Sequence, residues 1–278
     1  MKRTILKQFF LLFILGTFTL FISCKKKDGS KDSGPLEYVL TWSDEFNGET
    51  IDVSKWDKPE VNRRNNVDGP DGWWLKENSY LDGDGNLVIR VKKIDNRNND
   101  NDPFDYSTGA IRSKGRFEQK YGKFEIRCQL PTQAGWWVAF WLMSPTVGNV
   151  GNSGEDGTEI DIFEGFGWTD NLNFALHWDG YRDDHKSIDM KKTIDGIREG
   201  FHTYKLEWTE TEYVFFVDDV EVWKTRAGGV SKVPAYVKVT GEICTLDWAI
   251  GEVWANDPET GEYPDYFLVD YVRVYQFQ

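Results

Sequence analysis

Several kinds of chemistry are excluded by what this sequence lacks. Its 278 residues include three cysteines and three histidines, and none of them falls at the spacing of a cysteine–histidine metal site; there is no glycine-rich phosphate loop and no internal repeat. Helical periodicity is scarce, which argues against a bundle or a doubly wound α/β fold. No apolar run reaches the ~20 residues that a membrane-spanning helix needs. Basic residues are also short, with 33 Lys and Arg against 46 Asp and Glu and a formal charge of -13. That balance argues against a nucleic-acid partner, which selects basic surfaces. It also disfavours a strongly anionic substrate, unless local arginines such as Arg112 offset the field.

The first segment carries Lys2, Arg3 and Lys7, then an apolar run from Phe9 to Ile22, then Ser23-Cys24. Residues 1–23 read as an export signal. Phe21-Ile22-Ser23-Cys24 resembles a bacterial lipoprotein cleavage box, which implies cleavage before Cys24, lipidation of its thiol and attachment to a membrane of the bacterial cell envelope, facing the periplasm or the surface. The alternative is a plainly secreted protein with an incidental cysteine. Loss of three basic residues with the signal takes the formal charge from -13 to -16. Residues 24–36 read as a flexible tether, because Lys25 to Pro35 (Lys-Lys-Lys-Asp-Gly-Ser-Lys-Asp-Ser-Gly-Pro) has nothing apolar to bury. Cys128 and Cys244 lie in strand-like runs, where a disulfide and two buried free thiols are both open readings.

Residues 37–278 fit one large all-β domain, expected to act as a monomer. Strand-like alternation runs through Asn86–Lys92, Gly109–Phe117, Lys123–Leu130, Trp136–Met143, Thr158–Glu164 and Leu172–Trp178. It resumes through His202–Trp208, Glu212–Val217, Val220–Thr225, Tyr236–Glu242 and Phe267–Tyr275. Asp218-Asp219 sits where a two-residue hairpin turn joins its neighbours. Many short strands without helices predict a two-sheet sandwich.

Within this pattern one stretch stands out, Gly157-Thr158-Glu159-Ile160-Asp161-Ile162-Phe163-Glu164-Gly165. On a strand Glu159 and Asp161 share a face, and strict alternation would turn Glu164 away. A β-bulge at Ile162-Phe163 restores the phase and brings all three acids to one face. A carboxylate cluster without Lys or Arg drives some of its members toward the protonated form. Retaining glycoside hydrolysis needs that division of labour, with one ionised carboxylate as nucleophile and one protonated carboxyl as acid, roughly 5 to 5.5 Å apart. Taken alone, an acidic alternation is more often a solvated face.

The Glu-x-Asp-x-x-Glu motif, preceded by Trp137-Val138-Ala139-Phe140-Trp141-Leu142-Met143 and followed by the closing run Phe267 to Tyr275, resembles glycoside hydrolase family 16 from about Leu40 onward. The resemblance implies a concanavalin-like β-jelly-roll sandwich with a sugar-binding cleft on its concave face. It also implies Glu159 as nucleophile, Glu164 as acid/base and Asp161 as the assisting carboxylate. Trp137 and Trp141, with Trp136, become candidate sugar platforms. His177 matches the active-site histidine, a role its place beside the acidic strand also allows. His202 and His185 read as structural. Arg112 and Asn65, the latter in the polar loop Asn62 to Trp74, are further candidates for substrate hydroxyls. No organic cofactor is required. A structural calcium on Glu45 and Asp270 is implied by the family, although two acids alone do not complete a site of six to eight oxygens.

The expected activity is therefore retaining endo-β-glycan hydrolysis of a polysaccharide, β-1,3- or mixed β-1,3/1,4-glucan first. An endo-acting galactanase (of agarase, porphyranase or carrageenase type, or acting on a host glycan) is the alternative within the class. A surface glycan-binding lipoprotein that does not cut is the alternative outside it.

Overall fold

Period-two hydrophobicity is what builds this molecule. Gly122–Gln129 alternates buried and half-exposed residues from end to end, and an extended chain with one apolar face must bury that face against another sheet. In the computed structural model, residues 37–64, 70–97, 102–243 and 256–278 are described, all within the compact unit Leu36–Gln278. The expectations for residues 1–36, Cys24 among them, and those for Asn65 and Cys244 lie outside the described residues.

The strands in chain order are β1 (Tyr38–Asp44), β2 (Val61–Arg64), β3 (Gly72–Trp74), β4 (Ser79–Leu81), β5 (Leu87–Ile94), β6 (Asp105–Thr108), β7 (Ala110–Arg112) and β8 (Gly122–Gln129). They continue as β9 (Trp136–Met143), β10 (Glu159–Phe166), β11 (Asn171–Trp178), β12 (Lys186–Thr193), β13 (His202–Trp208), β14 (Tyr213–Val217), β15 (Val220–Thr225), β16 (Tyr236–Ile243) and β17 (Asp265–Phe277). Only 3₁₀ turns accompany them among the described residues. An eleven-stranded sheet runs β15-β14-β13-β8-β17-β5-β6-β3-β2, with β1 on β17 and β4 on β5. A six-stranded sheet runs β12-β11-β10-β9-β16-β7.

The core lies between the sheets. Phe124, Ile126 and Cys128 of β8 and Leu206 and Trp208 of β13 face Val138, Phe140 and Leu142 of β9 and Phe174 and Leu176 of β11, all essentially without solvent contact. Cys128 is a free thiol in this core. Trp56, Trp208 and Trp223 are core residues, and Trp42 packs against them. Gly241 of β16 is required by this packing, since a Cβ there would stand 2.7 Å from the Trp136 ring and 2.9 Å from Ile89. The Asp218-Asp219 turn has both residues left-handed, at φ 47° and 64°. Two-residue hairpins need that geometry, and aspartate tolerates it better than most residues.

Strands β9, β13 and β15 begin and end where the sequence predicts. The polar stretch after Val61 differs from its expected form as one long loop. Its ends are β2 and β3, antiparallel to each other, with β3 parallel to β6. Strand β12, exposed along its whole length, was also not expected. It closes the edge of the six-stranded sheet with Lys186, Lys191 and Lys192, residues of the kind that discourage edge-to-edge association.

Candidate active site

On the outer face of the six-stranded sheet, register decides which side chains meet. Asp161 of β10 is opposite Trp141 of β9, but the next pair is Phe163 with Phe140, so Ile162 is an extra residue on the β10 side. The same slip appears against β11, where Asp161 pairs with Ala175 and Glu164 with Asn173. This is the expected bulge. It sends Ile162 and Phe163 together into the core, 1% and 0% exposed, and returns Glu164 to the face that carries Glu159 and Asp161. Ala139 lies opposite Glu164 on one side and Ala175 opposite Asp161 on the other. These small side chains leave a hollow over the acids, part of a cleft of about 800 Å³.

Each acid has a different environment. Glu164 is buried, accepting from Trp137 Nε1–H at 2.8 Å and from Asn173 Nδ2–H at 2.7 Å. Burial, then the negative charge of Asp161, pushes its pKa up to about 8 in spite of those donors. Glu159 accepts from the Tyr181 hydroxyl at 2.5 Å. Burial and Asp161 raise it to about 7, with His177, Tyr181 and Lys238 pulling the other way. Asp161 is 4% exposed, and its Oδ2 stands 3.4 Å from His177 Nε2.

His177 completes the charge balance. Burial works against its proton, but Asp161, Glu159 and Glu164 outweigh burial and raise its pKa to about 9. Its Nδ1 is 3.0 Å from His185 Nε2, and the two rings stack at 5.2 Å and 9°. His185 is pushed down by burial and by the charge of His177. The imidazolium therefore donates from Nδ1 to a neutral His185. The site holds three carboxyl groups against one imidazolium, an arrangement that keeps a proton on one of the glutamates near neutrality.

The tryptophans sort by phase. Trp137 is on the cleft face, stacked on Phe166 with the Arg64 guanidinium 4.3 Å over its ring. Trp141 lines the cleft, its Nε1–H donating to Thr240 Oγ1 at 3.0 Å, but Lys238 Nζ covers one face of the ring at 3.3 Å. Trp136, expected with them, points the other way. It is fully buried in the core with its Nε1–H on Asp265 Oδ2 at 2.8 Å, because neighbours on a strand face opposite sides. Arg112 stands opposite Lys238 on edge strand β7 and is paired with Asp57 at 2.7 Å, outside the cleft lining.

Sequence reasoning missed Tyr181 and His185. Both belong to the loop between β11 and β12, which folds back over the acids. It is pinned by buried Asp179, which accepts from Lys186 Nζ at 2.5 Å and Gly151 N–H at 3.2 Å. His202 is on the other sheet, paired with Asp218. The expected calcium ligands do not suit a cation. Glu45 is bound by Arg273 at 2.7 Å, and Asp270 by Arg127. Among the described residues the one group of three metal-ligating side chains is Glu159, Asp161 and His177, which belongs to the acidic cluster of the cleft itself.

One wall of the cleft comes from the other sheet. Val61 to Arg64 and Trp74 line it. Arg63 Nε and Arg64 Nε bind the two oxygens of Glu242 on β16 at 2.9 and 2.5 Å, and Trp74 Nε1–H donates to the Gly241 carbonyl at 2.8 Å.

Comparison with known proteins agrees with this geometry. The family model for glycosyl hydrolases family 16 matches residues 69–267. The chain is 27% identical to a β-glucanase of Rhodothermus marinus, over all of this chain and 96% of that protein. The catalytic domain of an endo-1,3-β-glucanase (laminarinase) from Thermotoga petrophila superposes with a TM-score of 0.70 at 25% identity, over 88% of this chain and 100% of that one. A structure from work on endo-acting O-glycanases that initiate mucin breakdown, expressed by members of the human gut microbiota, gives 0.69 at 28% identity, over 87% and 91%.

Proposed function

Because this chain belongs to glycosyl hydrolases family 16, we propose that it is a retaining endo-β-glycanase cutting β-1,3- or mixed β-1,3/1,4-glucan. The observation that carries the reading is the bulge, which delivers Glu159 and Glu164 to one hollow in unequal environments. Glu164, held near 8, keeps its proton at neutral pH, and Glu159, near 7, is the first of the two to ionise.

In the first step a Glu159 carboxylate oxygen bonds to the anomeric carbon as the glycosidic C–O bond breaks, and the Glu164 proton passes to the departing oxygen. In the second, Glu164, now a carboxylate, takes a proton from water; the water oxygen bonds to the anomeric carbon and the Glu159 ester bond breaks, restoring both groups. Tyr181 orients Glu159 through its hydroxyl. Trp137 and Asn173 fix the rotamer of Glu164. Asp161, whose charge holds the proton on Glu164, is itself steadied by His177. Trp137, with Phe166 stacked on its ring and the Arg64 guanidinium over it, lines the cleft where a sugar would lie. The glucanase relatives favour glucan over galactan, and the presence of both glutamates favours turnover over binding alone.

Product analysis by mass spectrometry on laminarin and mixed-linkage glucan, with anomeric configuration read by NMR, tests this. Oligosaccharides released first as β-anomers support it; α-anomers first, or no cleavage of either glucan by folded protein, would sink it. We further propose that Cys24 anchors a monomeric enzyme to the cell envelope, on the strength of its basic, apolar and cysteine-ended leader. Labelling with a radioactive fatty acid should be lost in Cys24→Ala, and unchanged labelling would refute the anchor.

A further inference from the structure

Lys238 of β16 is 7% exposed, and its ammonium opens on the cleft. Among the described residues it has neither an ion pair nor a hydrogen bond. Its neighbours are the faces of Trp141 at 3.3 Å and Trp74 at 5.5 Å. Of the two carboxylates that act on it through space, Glu159 accepts from the Tyr181 hydroxyl and Glu242 is taken on both oxygens by Arg63 and Arg64. Arg112, the cross-strand neighbour, is matched by Asp57. A buried cation without a carboxylate in direct contact is costly, and aromatic faces offset only part of that cost. Position adds to the argument. Lys238 lies two strands from β10, on the side where the arginine-lined wall rises, so an occupant here is within a sugar or two of the scissile bond. In a chain with a formal charge of -13, the described residues at this end of the cleft, Lys238, Arg63, Arg64 and Glu242, include more positive than negative groups.

We infer that the β16 end of the cleft is an anion subsite, in which the Lys238 ammonium, with Arg63 beside it, binds a negatively charged substituent of the glycan, a sulfate ester or a carboxylate. The inference rests on the hydrolase reading for the nature of the polymer and on Lys238 for the charge. Burial and Arg63 push the Lys238 pKa down to about 7 against the opposing pull of Glu159 and Glu242, so the free subsite holds its proton weakly, and an arriving anion would supply the direct partner that the fold leaves open. Neutral hydroxyls alone would not balance the charge. The ring of Trp141 acts here as a seat for the ammonium and not as a sugar platform.

Affinity electrophoresis of the full-length Glu159→Gln protein measures binding without cleavage, in gels of laminarin, partly O-sulfated laminarin, or laminarin oxidised at its primary hydroxyls to uronate. One acidic polymer should be held about tenfold to a hundredfold more tightly than the neutral parent, the scale of one charge-assisted contact. Which of the two is held tells sulfate from carboxylate. Adding Lys238→Met, which keeps an unbranched side chain beside Trp141 and removes the charge, should cut the preference to about threefold or less, with the thermal midpoint confirming the fold. Equal retention of all three polymers, or a preference that Lys238→Met leaves intact, overturns the subsite. Cleavage assays with unsubstituted protein separate the two readings. Cleavage of neutral laminarin without charge preference in binding removes the subsite and keeps the hydrolase; charge-dependent retention without cleavage of any polymer keeps the subsite and removes the hydrolase.

Discussion

Replacing Glu164 with Gln should make the protein inactive and, in alkaline solution, more stable. Folding carries the Glu164 carboxyl from its ordinary value of 4.5 up to about 8. Between those two pH values the folded protein keeps a proton that the unfolded chain has released, so the contribution of this residue to stability falls as pH rises through the window. At about 1.4 kcal/mol per pH unit the full span is on the order of 5 kcal/mol, and sharing of the proton with Glu159 and Asp161 lowers it to about 3 to 4 kcal/mol. Glutamine has no such proton to lose. Its amide does set an N–H against Trp137 or Asn173, each now donating to a carboxyl oxygen, at a pH-independent cost of about 1 to 3 kcal/mol. The variant should therefore be no more stable than the parent at pH 5 and clearly more stable at pH 9. Guanidinium unfolding followed by tryptophan fluorescence at several pH values measures the gap between the two proteins. A gap constant to within about 1 kcal/mol from pH 5 to 9 would refute the assignment of Glu164 as the residue that holds the proton.

Other changes probe the same machinery. Glu164→Ala should lose turnover on polysaccharide by several orders of magnitude, and azide should restore cleavage of a substrate with a good leaving group, giving a β-glycosyl azide detectable by mass spectrometry; absence of that adduct would count against a covalent Glu159 intermediate. The pH dependence of kcat/KM should be a narrow bell limited by Glu159 near 7 and Glu164 near 8. Trp137→Phe removes a hydrogen bond to the ionised form of Glu164, so the alkaline limb should move upward by about half to one pH unit, and an unmoved or lowered limb contradicts that role. Inserting one alanine between Ile162 and Phe163 adds a residue beyond the one that the bulge absorbs and turns Glu164 inward; the protein should lose activity and several degrees of thermal midpoint, whereas an active insertion would show that register does not place the acid.

Much of the site was legible because its logic is local. Glu159, Asp161 and Glu164 lie within six residues, and their shared face follows from strand phase and one bulge, both readable from Ile162-Phe163. The strands with long apolar alternation, such as β9 and β13, were equally plain. The missing parts depend on distant partners. Strands β2 and β3 are short and polar and exist because β6 accepts β3 in parallel register. Strand β12 has no buried face to announce it. Tyr181 and His185 sit on a polar loop, and only its return over β10, held through Asp179, brings them to the acids. The placing of Trp136 among the platforms failed on phase; its neighbour Trp137, aligned through Ala139 with Glu164, was the one that the bulge selects. The arginines that neutralise the two acids of the calcium expectation, Arg273 on Glu45 and Arg127 on Asp270, lie far from them in sequence and could not be read there.

The wall of the cleft belongs to the eleven-stranded sheet and the floor to the six-stranded one, and Arg63, Arg64 and Trp74 fasten the first to Glu242 and Gly241 of the second. The gap between wall and floor is thus a fixed gauge, set by the same contacts that hold the sandwich together. A glycan chain meets that gauge as it enters the cleft. Its tolerance for bulky side branches is accordingly written into the join between two sheets, where a single substitution such as Trp74→Ala would retune the gauge without touching an acid.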